Sequence, residues 1–316
     1  MKKKKLLGIS LGLISIILVI SLSLVGNYFY NLALNPNTPK DIVFGTPEEA
    51  EATSGQVLDS DISWLLNNSN YTDEYLISSD NLKLHSYQIK NKTYSDKWVI
   101  TVHGYTSEGI NMSTYAKHYY DNGYNVLIPD LRGHGLSEGS YIGMGWDDRL
   151  DIISWINYIL NENSNAEIVL HGVSMGAATV LMTSGEEISP NVKVIVSDCG
   201  YTSVWDEFAY QLDTLFSLPE FPILNVSSIV AKIRAGYFLG KASSIDQVKN
   251  SKTPILYIHG DQDDFVPYYM MEKLYNATSS EKEMLTIKGA EHAKASEVDP
   301  ITYWTTVNNF INKYIN

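Results

Sequence analysis

From residue 75 onward, short and nearly continuously apolar runs alternate with longer segments of helical character. Such runs are typical of strands that are buried on both faces of a sheet. Strands that alternate with helices favour a mostly parallel sheet, because parallel neighbours need a crossover connection. We therefore predict an α/β fold, a central sheet flanked by helices, with strands at residues 98–102, 125–128, 167–170, 192–196, 254–258 and 284–287.

Other segments complete this pattern. Residues 75–77 and 82–89 predict an opening hairpin, and apolar spacing across 150–159 predicts a helix. Asp299 before Pro300 is a typical helix start, with an N-cap followed by proline at the first helical position.

One interval breaks the alternation. Between the strand ending at Val196 and the strand starting at Pro254, the connection is unusually long and rich in apolar side chains. Connections of that length inside a compact domain are usually functional. We predict a small helical lid at about residues 201–245.

The N-terminal segment contains a basic stretch followed by an apolar stretch. Lys2 to Lys5 precede an apolar run, Leu6 to Val25, which is long enough as a helix to cross a bilayer core. The run is longer than the apolar region of a cleaved signal peptide, and no convincing Ala-x-Ala site follows it. We predict an uncleaved signal anchor in the cell membrane, with a cytoplasmic N-terminus and an extracellular domain. The alternative is secretion after signal cleavage.

These features predict three parts. Residues 1–30 are the basic tip and membrane helix, with aromatic residues 28–30 at the membrane surface. Residues 31–60, rich in proline and polar residues, are expected to form a stalk. Residues 61–316 are expected to form the folded α/β domain, which includes the lid.

Charge limits the partners. The net charge is −13, and beyond the four N-terminal lysines 19 basic residues face 36 acidic residues. A surface this acidic repels phosphate backbones, so we expect no nucleic-acid partner. Hydrophobic residues make up 44% of the chain, enough for a large core.

The strongest chemical motif is Gly172-Val173-Ser174-Met175-Gly176, which lies between a predicted strand and a predicted helix. A nucleophile on a sharp strand-to-helix turn needs small neighbours, and glycine flanks it on both sides. The helix N-terminus also favours developing negative charge. Ser174 is therefore the candidate nucleophile.

A serine hydroxyl needs a base and an orienting acid. The segments His259 to Pro267 and Gly289 to His292 each follow a predicted strand. The carboxyl ends of parallel strands share one edge of the sheet, so both segments should lie near Ser174. The chain order serine, aspartate, histidine is the one expected for a nucleophile on such a turn in this fold.

Five segments together resemble the α/β-hydrolases, specifically the serine aminopeptidase-like and monoglyceride-lipase-like branch. The resemblance spans about residues 75–316 and rests on His103-Gly104-Tyr105, Asp130 to Ser137, Gly172 to Gly176, His259 to Pro267 and Gly289 to His292. It implies the α/β-hydrolase fold and hydrolytic activity.

The resemblance also implies roles for single residues. The family pattern His-Gly-x-x-Asp-x-x-Val-Pro puts the catalytic acid at Asp263, with Asp261 and Asp264 as rivals. His292 is the base that takes the Ser174 proton. The oxyanion hole is expected at the backbone N–H groups of Tyr105 and Met175.

The remaining reactive side chains predict no further chemistry. Cys199, the one cysteine of the chain, follows an apolar strand and is expected to be a small buried hydrophobe. Four other histidines adjoin turn glycines and are expected to be structural: His103, His134, His171 and His259. We expect no metal and no other cofactor.

Three functions remain open. An apolar lid favours a carboxylesterase or lipase-like enzyme, which cleaves small ester or lipid-like substrates with an apolar acyl or alkyl part through an acyl-enzyme. A peptidase would need carboxylates near the site for the substrate ammonium, and Asp206, Glu207 or Asp213 could supply them. A hydrolase fold kept as a binding module is the third.

Overall fold

A single sheet of eight strands organises residues 2–44 and 57–315, which the computed structural model describes. The strands are β1 (Thr72–Ile77), β2 (Lys83–Ile89), β3 (Lys97–Val102), β4 (Asn125–Pro129), β5 (Glu167–Val173), β6 (Val192–Asp198), β7 (Ile255–Gly260) and β8 (Lys282–Ile287). Their order is β1-β2-β4-β3-β5-β6-β7-β8. Strand β2 runs antiparallel to β1 and β4, and the pairs from β4 to β8 are parallel.

Helices cover both faces of the sheet. They are α1 (Lys2–Leu34), α2 (Asp41–Phe44), α3 (Asp59–Asn68), α4 (Ser113–Asp121), α5 (Asp148–Glu162), α6 (Met175–Ser184), α7 (Val204–Phe216), α8 (Glu220–Arg234), α9 (Ser244–Val248), α10 (Tyr269–Ala277), α11 (Ala295–Val298) and α12 (Pro300–Ile311). Short 3-10 turns lie at Gly109–Met112 and Leu239–Lys241.

The predicted fold class is confirmed, and so are the six strands and the hairpin. The strands read as continuous apolar runs because neighbouring side chains enter opposite cores: Ile100 and Leu170 pack on one face, Val99 and Val169 on the other. The last helix begins as predicted, and the Asp299 carboxylate accepts from the Thr302 N–H at 3.0 Å.

The interval predicted as a lid folds as helices α7 and α8. A β-bridge between Ser203 and Ser243 closes the base of this interval. The Ser203 hydroxyl caps α7 by accepting from the Asp206 N–H at 3.0 Å. The two ends of the segment 201–245 therefore lie side by side, and the helices between them form one unit.

Helix α1 has two differently exposed parts. Its segment Ser10–Leu34, with a mean hydropathy of 2.1, is long and apolar enough to cross a membrane. Residues 10–21 are exposed, whereas from Leu22 onward the helix packs against α8. A Cβ at Gly26 would lie 2.9 Å from the backbone of Val226, so glycine permits the close approach of the two helices.

The end of α1 continues into the segment predicted as a stalk at residues 31–60. Residues 31–34 continue the helix, and Leu32 and Leu34 are buried because their apolar side chains contact the domain. Lys40 then donates to the carbonyl oxygens of Leu32 at 2.6 Å and Asn35 at 2.9 Å, which caps the helix end. Residues 45–56 of the predicted stalk lie outside the described residues, and the division into three parts stays a prediction.

Candidate active site

Ser174 lies on the turn that joins β5 to α6. Its backbone has φ 55° and ψ −117°, a conformation that non-glycine residues rarely adopt. The flanking glycines make the turn possible, since a Cβ at Gly172 would overlap the backbone of Gly176, and one at Gly176 would overlap the Val102 carbonyl. The turn therefore projects the serine side chain from the edge of the sheet, at a helix N-terminus.

The ring of His292 lies within hydrogen-bond distance of both Ser174 and Asp263, the other two side chains predicted for catalysis. The Nε2 atom of His292 is 2.8 Å from the Oγ atom of Ser174. The Nδ1 atom of the same ring is 2.8 Å from the Oδ2 atom of Asp263. All three residues are buried. The arrangement is a continuous Ser–His–Asp chain of contacts, with the geometry that proton transfer from Ser174 to His292 would need.

The loop after β7 presents Asp263 to the histidine. Its Oδ1 atom accepts from the backbone N–H groups of Phe265 at 3.0 Å and Val266 at 2.8 Å. Burial alone would raise the pKa of this carboxyl, but the rings of His292 and His259 outweigh it and hold the pKa well below its usual range. Asp263 is therefore ionised.

The two rival aspartates are exposed and face elsewhere. The carboxylate of Asp261 accepts from the Gly289 N–H at 2.7 Å, so it joins the two loops that carry the acid and the base. The backbone oxygen of Asp264 accepts from the Tyr210 hydroxyl of α7 at 3.0 Å. The geometry therefore favours Asp263 over both rivals.

The other histidines in the motifs are buried and hydrogen-bonded to neighbouring groups. His103 accepts from the Leu131 N–H at 3.0 Å, and His134 lies 3.1 Å from the Arg132 carbonyl. His171 contacts two tyrosine hydroxyls. His259 is different, because its Nε2 atom is 3.0 Å from Asp263 Oδ2 as well as 2.8 Å from a backbone carbonyl.

Sequence reasoning missed Asp198, which ends β6 beside Ser174. Its backbone oxygen accepts from the Ser174 N–H at 2.8 Å, and its carboxylate accepts from the Tyr303 hydroxyl at 2.8 Å. Burial raises the pKa of Asp198 to about 6, although Tyr303 and the nearby His259 and His292 oppose the rise. The sequence does carry a signal for Asp198, because an acidic residue ends a buried apolar strand that is predicted to neighbour the strand before Ser174.

Cys199 follows Asp198 and is buried, as predicted. Its sulfur and ligand atoms of Asp263 and His292 lie within 4.8 Å of one another. Asp263 and His292 already bond each other, and burial raises the pKa of the Cys199 thiol well above its usual value, so the sulfur stays protonated.

The predicted oxyanion donors belong to two segments that touch. Gly176, one residue after Met175, packs directly against the carbonyls of Val102 and His103, at the start of the loop that carries Tyr105. Met175 is the first residue of α6, where backbone N–H groups lack helical partners. The side chain of Tyr105 lines the cavity beside Ser174.

That cavity is partly open to solvent, and the space between its walls, with the open solvent included, is about 860 Å³. Its wall comes from the end of α1, from α7 and α8, and from the loop after β7, and it is mainly apolar: Ala33, Phe208, Leu212, Leu224 and Phe265 are examples. A wall of this kind suits a substrate with an apolar chain.

Glu207 is an acidic residue in this mainly apolar wall. The residue is 3% exposed, and its Oε1 atom accepts from Gln211 at 3.0 Å. Its Oε2 atom has no hydrogen-bond partner within residues 2–44 and 57–315. Burial raises the pKa of Glu207 to about 8, with Gln211 opposing and Asp263 adding to the rise. Asp206 and Asp213, the other predicted carboxylates, lie outside the cavity wall.

The chain is similar to several known proteins. The family model described as "Serine aminopeptidase, S33" matches residues 93–216, which include Tyr105, Ser174 and Met175. The uncharacterized protein YqkD of Bacillus subtilis (strain 168) is 30% identical over 215 residues, 68% of this chain and 70% of that protein.

Two further relationships extend over most of the chain. The uncharacterized membrane protein YNL320W of Saccharomyces cerevisiae is 25% identical over 239 residues, 75% of this chain and 78% of that protein. The solved structure of the Pyrococcus furiosus esterase Pf2001 is similar at a TM-score of 0.64 and 24% identity, over 83% of this chain and 98% of that one, which shows the fold. The chain therefore belongs to the α/β-hydrolase superfamily, as a hydrolase of the serine aminopeptidase branch.

Proposed function

We propose that this hydrolase uses Ser174 to cleave carboxylic esters with an apolar acyl or alkyl part. The observation that carries the proposal is the chain of two 2.8 Å contacts from Ser174 Oγ through His292 to Asp263. An ionised, buried aspartate at the end of this chain is what an orienting acid requires.

The mechanism follows from the atoms in contact. Nε2 of His292 takes the proton from Ser174 Oγ as the oxygen attacks the ester carbonyl, and the Oγ–C bond forms. The carbonyl oxygen becomes an oxyanion, which the N–H groups of Tyr105 and Met175 would stabilise. His292 then donates its proton to the leaving alkoxide, which departs and leaves an acyl-enzyme. His292 then takes a proton from a water molecule, which attacks the acyl carbon. The Oγ–C bond breaks, the acid leaves, and His292 returns its proton to Ser174 Oγ.

The cavity supports an apolar substrate. Each methylene that moves from water into such a wall contributes about 0.8 kcal/mol. A chain of several methylenes therefore gains enough binding energy to determine specificity, while the reacting carbonyl stays beside Ser174.

One observation favours a peptidase as the second candidate. Glu207 lies in the cavity wall, where a carboxylate could face a substrate ammonium. The raised pKa of about 8 weighs against this role, since the carboxyl is mostly neutral at pH 7 and offers little charge to a cation. We therefore rank the ester first.

We also propose that α1 anchors the enzyme in a membrane with its domain outside the cell. The exposed apolar part of α1 supports this, together with exposed apolar side chains on the adjacent α8, Ile229 and Ile233. Lys232 and Arg234 lie in the same turn of α8, in a chain that is otherwise acidic. Basic residues beside apolar ones are typical of a membrane surface.

The test uses the full chain, purified in detergent. We expect hydrolysis of p-nitrophenyl esters well above that of aminoacyl p-nitroanilides, and loss of at least about a thousandfold in kcat with Ser174→Ala. Preference for the anilides would favour the peptidase. Equal labelling of wild type and Ser174→Ala by a fluorophosphonate probe would favour a non-catalytic binding module.

A further inference from the structure

The C-terminal end of α1 lies at the catalytic cavity, although its composition is that of a membrane helix. Five of its residues line the cavity beside Ser174: Phe29, Tyr30, Leu32, Ala33 and Leu34. We propose that this end of α1 is a working part of the active site: it bounds the substrate's apolar chain and, through Tyr105, positions the oxyanion loop, the residues 103–105 that follow β3. The inference rests on the proposed ester hydrolysis.

A hydrogen bond joins α1 to the oxyanion loop. The hydroxyl of Tyr105 donates to the backbone oxygen of Ala33 at 2.7 Å. That carbonyl is one of the last of α1, where helical partners are missing. The backbone N–H of Tyr105 is the proposed oxyanion donor, so its side chain fixes the loop whose main chain must face the reacting carbonyl. Tyr105 is in this sense a positioning residue.

The lid holds the same part of α1 in place. Nη1 of Arg234 donates to the side-chain oxygens of Asn27 at 2.9 Å and Asn31 at 2.8 Å. The rings of Phe29 and Phe216 meet edge to face, with centroids 5.4 Å apart. Helix α1 is therefore fastened to the lid on one side and to the oxyanion loop on the other.

Two consequences follow for the enzyme. Loss of α1 would open one wall of the cavity and free the Tyr105 hydroxyl from Ala33, so the active form retains the helix, as an uncleaved anchor does. The substrate chain would also lie against the turns where α1 passes from its exposed part to its buried part. This position suits an ester amphiphile taken from the membrane surface.

Ala33 offers the sharpest test of the wall. Its side chain is small and faces the cavity, so a larger one should shorten the space for the substrate chain. In the full-length protein, we expect Ala33→Phe to lower kcat/KM for p-nitrophenyl decanoate relative to butyrate by at least about tenfold, mainly through KM. The matched control, Ser21→Phe, adds the same ring to the exposed part of α1 and should leave the ratio unchanged.

Fluorophosphonate labelling of Ser174 reports whether each variant keeps a folded site. If Ala33→Phe does not label, Ala33→Leu takes its place and should shift the ratio in the same direction. If a variant labels but its kcat/KM for decanoate relative to butyrate is unchanged, the proposal that α1 bounds the substrate chain is wrong.

Tyr105→Phe tests the positioning role, since it removes the hydroxyl and keeps the backbone N–H. We expect kcat for the short ester to fall about tenfold with little change in KM, because the loop loses its hold on α1. A kcat close to that of wild type would overturn the role. Failure of the underlying function looks different, because Ser174→Ala would then hydrolyse esters as wild type does.

Discussion

His259 and His292 share one oxygen of the same acid: Nε2 of His259 lies 3.0 Å from Asp263 Oδ2, and Nδ1 of His292 lies 2.8 Å from it. A carboxylate placed between two rings and two backbone N–H groups has little freedom to rotate. His259 is therefore expected to hold Asp263 in place for His292.

Replacing His259 should weaken catalysis without abolishing it. The one proton on Nε2 of His259 is shared between the Val266 carbonyl at 2.8 Å and Asp263 Oδ2 at 3.0 Å, so we expect the loss of this polar contact in His259→Leu to lower kcat by about tenfold. His259→Gln, which can keep an N–H toward Asp263, should lose less. Steady-state kinetics with a short ester measures both, and equal losses in the two variants would contradict a hydrogen-bonding role.

The sheet and the candidate site could be predicted from sequence for the same reason. Parallel strands end at one edge, so motifs at 172–176, 259–267 and 289–292 had to meet there once the strand order was right. Each motif also carries its own turn glycine. Local pattern and global topology agree at these positions, which is where sequence reasoning works best.

Helix packing could not be predicted in this way. Apart from Ser23, Asn27 and Asn31, residues 22–34 are apolar or aromatic, which suits contact with lipid and with protein alike, so the apolar pattern does not predict the docking of α1 on α8 and on Tyr105. The burial of Glu207 could not be predicted for a related reason. On α7 it neighbours Asp206 and looks like part of a solvated face, and only the position of α7 over the cavity buries it.

The close packing of α1 against α8 requires a residue without a side chain at position 26. A Cβ there would press on the Val226 backbone, so Gly26→Val should separate the helices and lower both the thermal midpoint and ester turnover. Gly12, in the same helix, has no atom of the described residues within 4 Å of a Cβ. Gly12→Val is thus the matched control, and equal thermal midpoints for the two variants would argue against the packing.

Glu207 predicts a pH-dependent stability. Its pKa is about 8 in the fold, against roughly 4.3 in an unfolded chain. The contribution of the neutral carboxyl to the free energy of unfolding is fully present below the pKa of the unfolded chain. It is lost as pH rises through the folded pKa, because the buried carboxyl must then ionise. Relative to wild type, Glu207→Gln should therefore gain in thermal midpoint between pH 5 and pH 9, about 2–4 °C for each kcal/mol. A difference that stays constant with pH would contradict a buried, neutral Glu207.

Cys199 should be unreactive in the folded protein. It is buried, and its thiol pKa is raised, so little thiolate exists to attack a reagent. We expect iodoacetamide to modify it only in denaturant, and Cys199→Ala to keep ester turnover. Rapid labelling of the native protein, measured by intact mass, would show that the thiol is accessible.

The central claim is that Ser174 carries the acyl group. Full-length protein mixed with a p-nitrophenyl ester and quenched in acid within the first turnovers should yield a peptide acylated at Ser174, identified by mass spectrometry. Acyl groups on a different residue, or steady turnover by Ser174→Ala, would contradict the account.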